Sequence, residues 1–471
     1  MQGVGRRQLL CAALGAAGAA LVAGCRRISQ PAPGCGSTAR VTLYATPDFI
    51  PEYTVGPKLA AAFQAVDPEV TVIYPRGPGR IPSGQKWVIQ SVQSGWQASN
   101  VQGAVVVPLA PALQSINFNP SVLLPGLVEQ FSIQGAPYGL PSTFYPAGVV
   151  YNTHAFEQAG VAPPQPDWTI ADLQNTCAAL AHALGKGKLP GLVGVLPPAV
   201  GTSAYPGQGA ILASSYTGWL QAGDATLWAG FAMGYGAQVL LDDGTIDLTG
   251  QEALLGLGTL VELARQYGAP NTALPVTASA LRDLLRLKTV ALEFVSRIDP
   301  FVASSGGSVR FARYPRLPVK SVVPAFSQGQ TVGAAARLPS LTFPGDVLDA
   351  FVRFQTWTYG NDGQRIWMGA DLPPVVADPA VQEAFWSHQM NVDVSPSDFV
   401  FMGSRQYDVY SPGVGQALAQ AYHAPTVLAD ALRSAQGRVR AQALALRARN
   451  SEDLKVVWAG VGGGSGGATC P

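Results

Sequence analysis

Apolar positions recur along the chain with two periods, and the switches between them lay out an alternating α/β pattern. Val41-Thr-Leu-Tyr44 is a short apolar run closed by Thr46-Pro47-Asp48 and reads as a strand. After Gly56-Pro57, the residues Leu59, Ala62, Phe63 and Val66 fall at the i, i+3, i+4, i+7 spacing that lines one face of a helix. Asp67-Pro68 stops that helix, and Val70-Thr-Val-Ile-Tyr74 is the second strand. Such an opening argues for a mostly parallel sheet with helices on its faces. Residues 75–86 read as a loop, 85–97 as a helix and 103–109 as a buried strand.

The pattern continues past a short helix, His154–Gly160, stopped by its glycine. Thr169 is placed to cap a helix, with Asp172 three residues on and Leu173, Cys177, Leu180 and Leu184 in helical phase. Residues 192–196 read as a strand, 197–226 as a loop-rich region with scattered aromatics, and 228–241 as an apolar helix. Thr249 and Glu252 form a second capping pair before Leu254, Leu257, Val261 and Ala264, and Gly268 ends that helix. A short helix at 280–287 and strands at 289–294 and 331–336 follow. Val347, Ala350, Phe351, Phe354 and Thr358 share a helix face, as do Leu428, Leu432, Ala435, Val439, Ala443 and Leu446 near the end. Residues 459–471 are a glycine-rich tail.

The N-terminus follows a different rule. Arg6-Arg7 precedes an apolar, small-residue run of signal-peptide length that ends in Leu21-Val22-Ala23-Gly24-Cys25. That ending resembles a bacterial lipobox, so residues 1–24 read as a signal peptide and Cys25 as the lipidated first residue of the mature chain. The arginine pair fits a general-secretory signal and a twin-arginine signal alike. Residues 25–39, rich in Pro, Gly, Ser and Ala, read as a tether. Of the other cysteines, Cys177 lies on an apolar helix face and reads as a buried thiol. Cys35 and Cys470 sit in the two ends, where a bridge is open.

Composition narrows the function classes. Of 471 residues, 48% are hydrophobic and 13% charged, which gives ample core for two or three domains. Removing Arg6 and Arg7 with the signal from the 30 basic residues leaves 28 against 29 acidic. With no basic stripe, nucleic acid is not an expected partner. Gly463-Gly-Ser-Gly-Gly467 matches a nucleophile-elbow string, but in a glycine tail without a flanking strand or helix it carries no chemistry. His154, His182, His388 and His423 stand apart, with no metal-ligand spacing, and Asp242-Asp243 reads as a solvated turn. No catalytic residues, no metal and no cofactor are assigned.

Several phrases then fall in a telling order. Tyr138-Gly-Leu-Pro141 and Val149-Val-Tyr-Asn152 precede the helix His154–Gly160 and Trp168-Thr-Ile-Ala-Asp-Leu173. With the opening strand–helix–strand, the segment from Trp228 to Gly268, the segment Arg337–Asp362 and Leu372-Pro373, the set resembles the family 1 extracellular solute-binding proteins of sugar-type ABC importers. Two positions depart from it. Residues 99–107 lack the family's Pro-Asp, and Arg297 stands where relatives often place a ligand-stacking tryptophan.

The resemblance implies a two-lobed periplasmic-binding-protein-like α/β fold of maltose-binding-protein-like topology, with ligand in the interlobe cleft. Chain order assigns 40–147 plus 330–376 to the first lobe, 148–329 plus 377–449 to the second, and 450–471 to a flexible tail. Sugars need aromatic faces for their C–H patches and planar polar groups for their hydroxyls. Asp48, Ser142, Tyr145, Trp219, Asp224, Trp228, Arg297, Tyr407 and Tyr410 are the ligand-binding candidates, with Asp299 beside Arg297 as its ion-pair partner. For each aromatic, core packing is the competing reading, and Trp168, Trp357, Trp367 and Trp386 are assigned to packing. The implied partners are a carbohydrate or polyol-type solute, ABC permease subunits and, through the lipid anchor, the outer face of the cytoplasmic membrane. The implied state is a monomer. Three alternatives stand beside this reading: a phosphate ester or other anionic solute, a surface lipoprotein enzyme, and a sensor on the same fold.

Overall fold

The computed structural model describes residues 41–46, 50–75, 87–93, 107–133, 135–189, 210–214, 225–239, 246–267, 290–295, 307–334, 344–401, 405–438 and 440. These residues build two sheets, each with its own helices. The first holds six strands: β1 (Val41–Thr46), β2 (Val70–Ile73), β3 (Trp87–Gln93), β6 (Leu140–Pro146), β11 (Val323–Ala334) and β12 (Phe399–Phe401). β1 runs parallel to both β2 and β3. The long β11 is its spine. Its first residues pair with β12, its later ones with β3, and its other edge with β6. A two-stranded ribbon, β4 (Ser132–Ile133) with β5 (Ala136–Pro137), leads into β6.

The second sheet has the order β10-β7-β9-β8. Its strands are β7 (Gly148–Asn152), β8 (Ala210–Ser214), β9 (Val290–Val295) and β10 (Val309–Arg313). β7 is antiparallel to both neighbours, while β8 and β9 are parallel.

Helices α1 (Ile50–Val66), α2 (Ala110–Ser115), α7 (Gly345–Thr358) and α8 (Asn361–Met368) pack on the first sheet and each other. Phe63 of α1 meets Phe354 and Trp357 of α7 at ring distances of 5.3 and 5.5 Å. α3 (Thr153–Ala159), α4 (Ile170–Gly185), α5 (Ala225–Gly234) and α6 (Gln251–Tyr267) accompany the second sheet. A short α9 (Pro379–Glu383) runs into a π-helical turn, Ala384–Met390, and α10 (Arg405–His423) then packs on α5 and α6. A final helix, α11, covers 428–438. At Gly256 α6 lies so near α5 that a Cβ would sit 2.5 Å from the Phe231 carbonyl oxygen. Only glycine permits that approach.

Local signals account for many of these ends. Asn152 caps α3 by accepting from the amides of His154 and Ala155, and Gly160 closes it in the left-handed region at φ 68°. Thr169 and Asp172 form the expected reciprocal capping box on α4. Cys177 is buried, as expected, and burial pushes its thiol up to about 12.

Five readings are corrected. Residues 87–93 form the strand β3, not a helix: Val88, Ile89 and Val92 are buried between β1 and β11, and β-branched side chains suit that pleated site. α1 begins at Ile50 and runs through Pro57, which was expected at its start. The lost amide bond is outweighed by burying Val55, Leu59 and Phe63. β11 begins at Val323, not 331, so the boundary expected at 329/330 falls inside one strand. A strand, β8, lies within the supposed loop region 197–226. Thr249 hydrogen-bonds Asp247 instead of joining Glu252 in a cap. The strand at 192–196, the helix at 280–287 and the tail lie outside the described residues.

Candidate functional site

The chain passes from the first sheet to the second in one residue. β6 ends at Pro146, Ala147 lies between, and β7 begins at Gly148. The Ala147 amide donates to the Pro324 carbonyl on β11 at 2.6 Å. At Gly148 a Cβ would lie 2.3 Å from the Phe311 ring, so only glycine lets β10 close over this step. Every residue of β6 and β7 is buried, and for that reason the stretch does not alternate apolar with polar; even Ser142, Thr143 and Asn152 are inside.

β6 carries a bulge. Thr143 lies opposite Gln328 and Pro141 opposite Gly329, so Ser142 is the extra residue. The Ser142 hydroxyl and the Gln328 side-chain amide nitrogen, one on each side of this irregularity, are buried and have no hydrogen-bond partner. The Ser327 hydroxyl on β11 is in the same condition. Native proteins leave few such groups unsatisfied, so three on two paired strands mark this place in the sheet. Thr143 donates to the Pro373 carbonyl at 3.2 Å. Phe144 stacks against Phe399, Phe401 and Trp386 at 4.8 to 6.1 Å.

The chain returns to the first sheet through residues 314–322, between β10 and β11. It leaves the helices of the first sheet again after α8, through Leu372 to Val376. That strap is held tightly. Leu124 donates to Val375 and Ala377 to Val122, Gln364 accepts from the Val375 amide, and Gln382 donates to the carbonyls of Pro374 and Val376. Trp386 donates its indole N–H to Gln382 at 2.8 Å, which fixes the amide.

Of the candidates, Ser142 and Tyr145 lie together on β6, with Tyr145 opposite Phe326. They are 2% and 7% exposed. Trp228 is 1% exposed on α5, two residues before Gly230, whose Cα faces Pro324 and Tyr314 at the second passage. Tyr407 and Tyr410 fall within α10, although their polar-aromatic surroundings in the sequence read as a loop before the last helices. Asp48, Trp219, Asp224, Arg297 and Asp299 lie outside the described residues, as do Cys25, Cys35 and Cys470.

Sequence reasoning missed Ser327 and Gln328, because Ser-Gln-Gly-Gln-Thr carries the polarity of a loop. It also missed Glu293, a carboxylate 2% exposed in β9, and Arg313, a guanidinium 1% exposed at the end of β10. Burial presses the Arg313 pKa down while Asp398 opposes that. Burial likewise raises the Tyr359 phenol, whose hydroxyl donates to the Pro141 carbonyl at 2.8 Å beside the bulge. Among the described residues no three His, Cys, Asp or Glu side chains come together as a metal site. Around the bulge the buried polar groups are hydroxyls and amides, with aromatic rings beside them, while the charged groups Arg313, Arg316, Asp393 and Asp398 gather at 314–322.

No protein-family model matches the chain, and neither does any curated protein. Solved structures do. The cyclic α-maltosyl-1,6-maltose binding protein of Arthrobacter globiformis superposes with a TM-score of 0.61 at 14% identity, over 86% of this chain and 98% of that one. The fold is that of the ABC-transporter solute-binding proteins. This is the two-lobed α/β class expected from the sequence. A solute-binding protein of Thermotoga lettingae bound with α-D-tagatose gives 0.59 at 15% identity, over 86% and 100%. A Listeria monocytogenes ABC substrate-binding protein in complex with cycloalternan gives 0.56 at 13%, over 85% and 98%.

Proposed function

We propose that this chain is the solute-capturing component of an ABC importer and that its ligand is a carbohydrate or polyol held between two lobes. One observation carries the reading: the described architecture matches sugar-binding importer proteins over nearly their whole length. The uncharged donors and rings around Ser142, Gln328 and Tyr145 agree with it. In this reading the first lobe is built on the β11 sheet and the second on the β7 sheet. Their second boundary lies in 314–322. Asp48, Ser142, Tyr145, Trp219, Asp224, Trp228, Arg297, Tyr407 and Tyr410 are the proposed contacts. Cys25 is the proposed lipid attachment, which holds the protein outside the cytoplasmic membrane beside its permease, and the protein works as a monomer. Capture without turnover is the proposed chemistry, since the matched proteins are described as binding proteins.

A ligand that touches both lobes favours the closed arrangement, and the permease then distinguishes loaded from empty protein. Thermal-shift screening against tagatose, maltose, cyclic oligosaccharides, sugar phosphates and short peptides tests the proposal. At about 100 times its Kd a ligand adds about 2.7 kcal/mol of stability, a readable rise in Tm. A saccharide hit recovered unchanged by mass spectrometry supports the reading. Hits confined to phosphate esters or peptides overturn the carbohydrate assignment, and product formation overturns pure binding.

A further inference from the structure

The passage at 314–322 and the segment 391–398 that leads into β12 meet at one side chain. Arg313 ends β10 in the second sheet, with its side chain fully buried. Its Nε donates to the Tyr314 carbonyl at 3.1 Å. One terminal nitrogen, Nη1, donates to the Asp393 carbonyl at 2.7 Å. The other, Nη2, donates to the Ser321 hydroxyl at 2.7 Å and lies 3.5 Å from the Asp398 carboxylate. Ser321 is two residues before β11, and Asp398 directly precedes β12, both of the first sheet. Arg316 adds a second tie to the same place, its Nη2 2.8 Å from the Asp393 carboxylate. From the second sheet's side, the Trp168 indole donates to the Arg313 carbonyl at 2.8 Å, and the Arg316 amide donates to the Trp168 carbonyl at 2.9 Å.

We propose that Arg313 is the hinge pin of the molecule: its buried fork fastens the passage at 314–322 to the returning segment 391–398, so that the two act as one strut when the sheets turn against each other. A guanidinium suits this, because its planar set of donors reaches several acceptors at fixed angles, and an ammonium cannot reproduce that geometry. Burial of the guanidinium sharpens the constraint, since its donors have no solvent to turn to if these acceptors are lost. Arg313 acts by positioning the passages, not by touching solute.

The inference rests on the two-lobe reading, but its test needs no ligand, so it stands or falls apart from the sugar assignment. Nitroxides are placed on unnatural side chains at positions 58 on α1 and 252 on α6, both exposed and one beside each sheet. Their distance distribution is measured in the full chain by pulsed electron resonance, for the parent, Arg313→Lys, Arg313→Met, Ser321→Ala and Asp398→Asn. Hydrogen exchange is followed in the same proteins. The expected result for Arg313→Lys and Arg313→Met is a broader distance distribution, with exchange in 317–323 and 391–399 rising together by about tenfold while β1–β3 is unchanged. Ser321→Ala and Asp398→Asn broaden it less. If the Arg313 variants do not fold, those two milder variants decide by the same readouts. A lower Tm with an unchanged distance distribution would reduce Arg313 to ordinary core and overturn the proposal; so would loosening of only one of the two segments.

Discussion

At Ser142 stability and the proposed recognition can be told apart by one substitution. Its buried hydroxyl has no partner, so the folded state gains nothing from it. Ser142→Ala is therefore expected to keep or raise stability, by about 0.5–1 kcal/mol in urea unfolding, while weakening capture of whichever saccharide the thermal screen finds. Gly148 behaves in the opposite way. Gly148→Ala forces a methyl into the Phe311 ring and is expected to cost about 1–3 kcal/mol. Thr169 and Asp172 give a pH signature. The Thr169 amide, and then its hydroxyl, hold the Asp172 carboxyl below its usual range. A depressed carboxylate contributes stability above its unfolded pKa and loses it as pH falls through the folded value. Asp172→Asn should thus match the parent in strong acid and fall behind it toward neutrality, by less than about 1 kcal/mol because solvent screens the exposed pair. A Tm profile from pH 2 to 7 checks this. These were the legible residues, since a cap is written in three or four neighbouring letters. Arg313 and Glu293 were not, because nothing local distinguishes a buried charge from a solvated one.

At the scale of elements, legibility followed how far each signal lies from its partner. The helices with a clear apolar face, α4, α6 and α7, were read nearly to their ends, and so were β1, β2 and β9. β3 was misread because its apolar spacing satisfies a helix as well, and its neighbours β1 and β11 decide the matter from far along the chain. The polar middle of β11 hid a strand whose glutamines face other buried groups: Gln330 bonds Tyr74 and Gln355. The strap Leu372–Val376 has no regular pattern at all. It is ordered by borrowed partners: Gln382 supplies two of its bonds and is itself held by the Trp386 indole. Gln382→Ala leaves two carbonyls and an indole N–H unpaired in the core and is expected to cost about 3 kcal/mol. Gln382→Glu, which cannot donate to those carbonyls when ionised, should be at least as damaging at neutral pH, and chemical denaturation of both variants measures it.

For the molecule as a whole, the order of phrases from Tyr138 to Leu173 pointed to the right architecture even though no single phrase is specific. The reason is physical. That stretch contains β6, the one-residue step at Ala147, β7 and two capped helices, and it must satisfy both sheets at once. The proposed contacts were less legible, since they are drawn from segments far apart in sequence. Ser142, Tyr145 and Trp228 are placed by the fold close to the passages, yet all three are buried. Capture at these positions would therefore require the sheets to turn apart. A bound saccharide is expected to slow hydrogen exchange in β6 and in the early part of β11 more than in β1 or β2.

The late position of β11 has a consequence for how the chain is made. β3 cannot complete its pairing until residues 328–334 have left the ribosome, and β6 waits for 325–330. Pairings across so much intervening sequence form slowly. The first sheet consequently stays unfinished until residue 334 has been made. Closure of the first sheet is thus a late event in the life of the chain, set by when residues 323–334 are made.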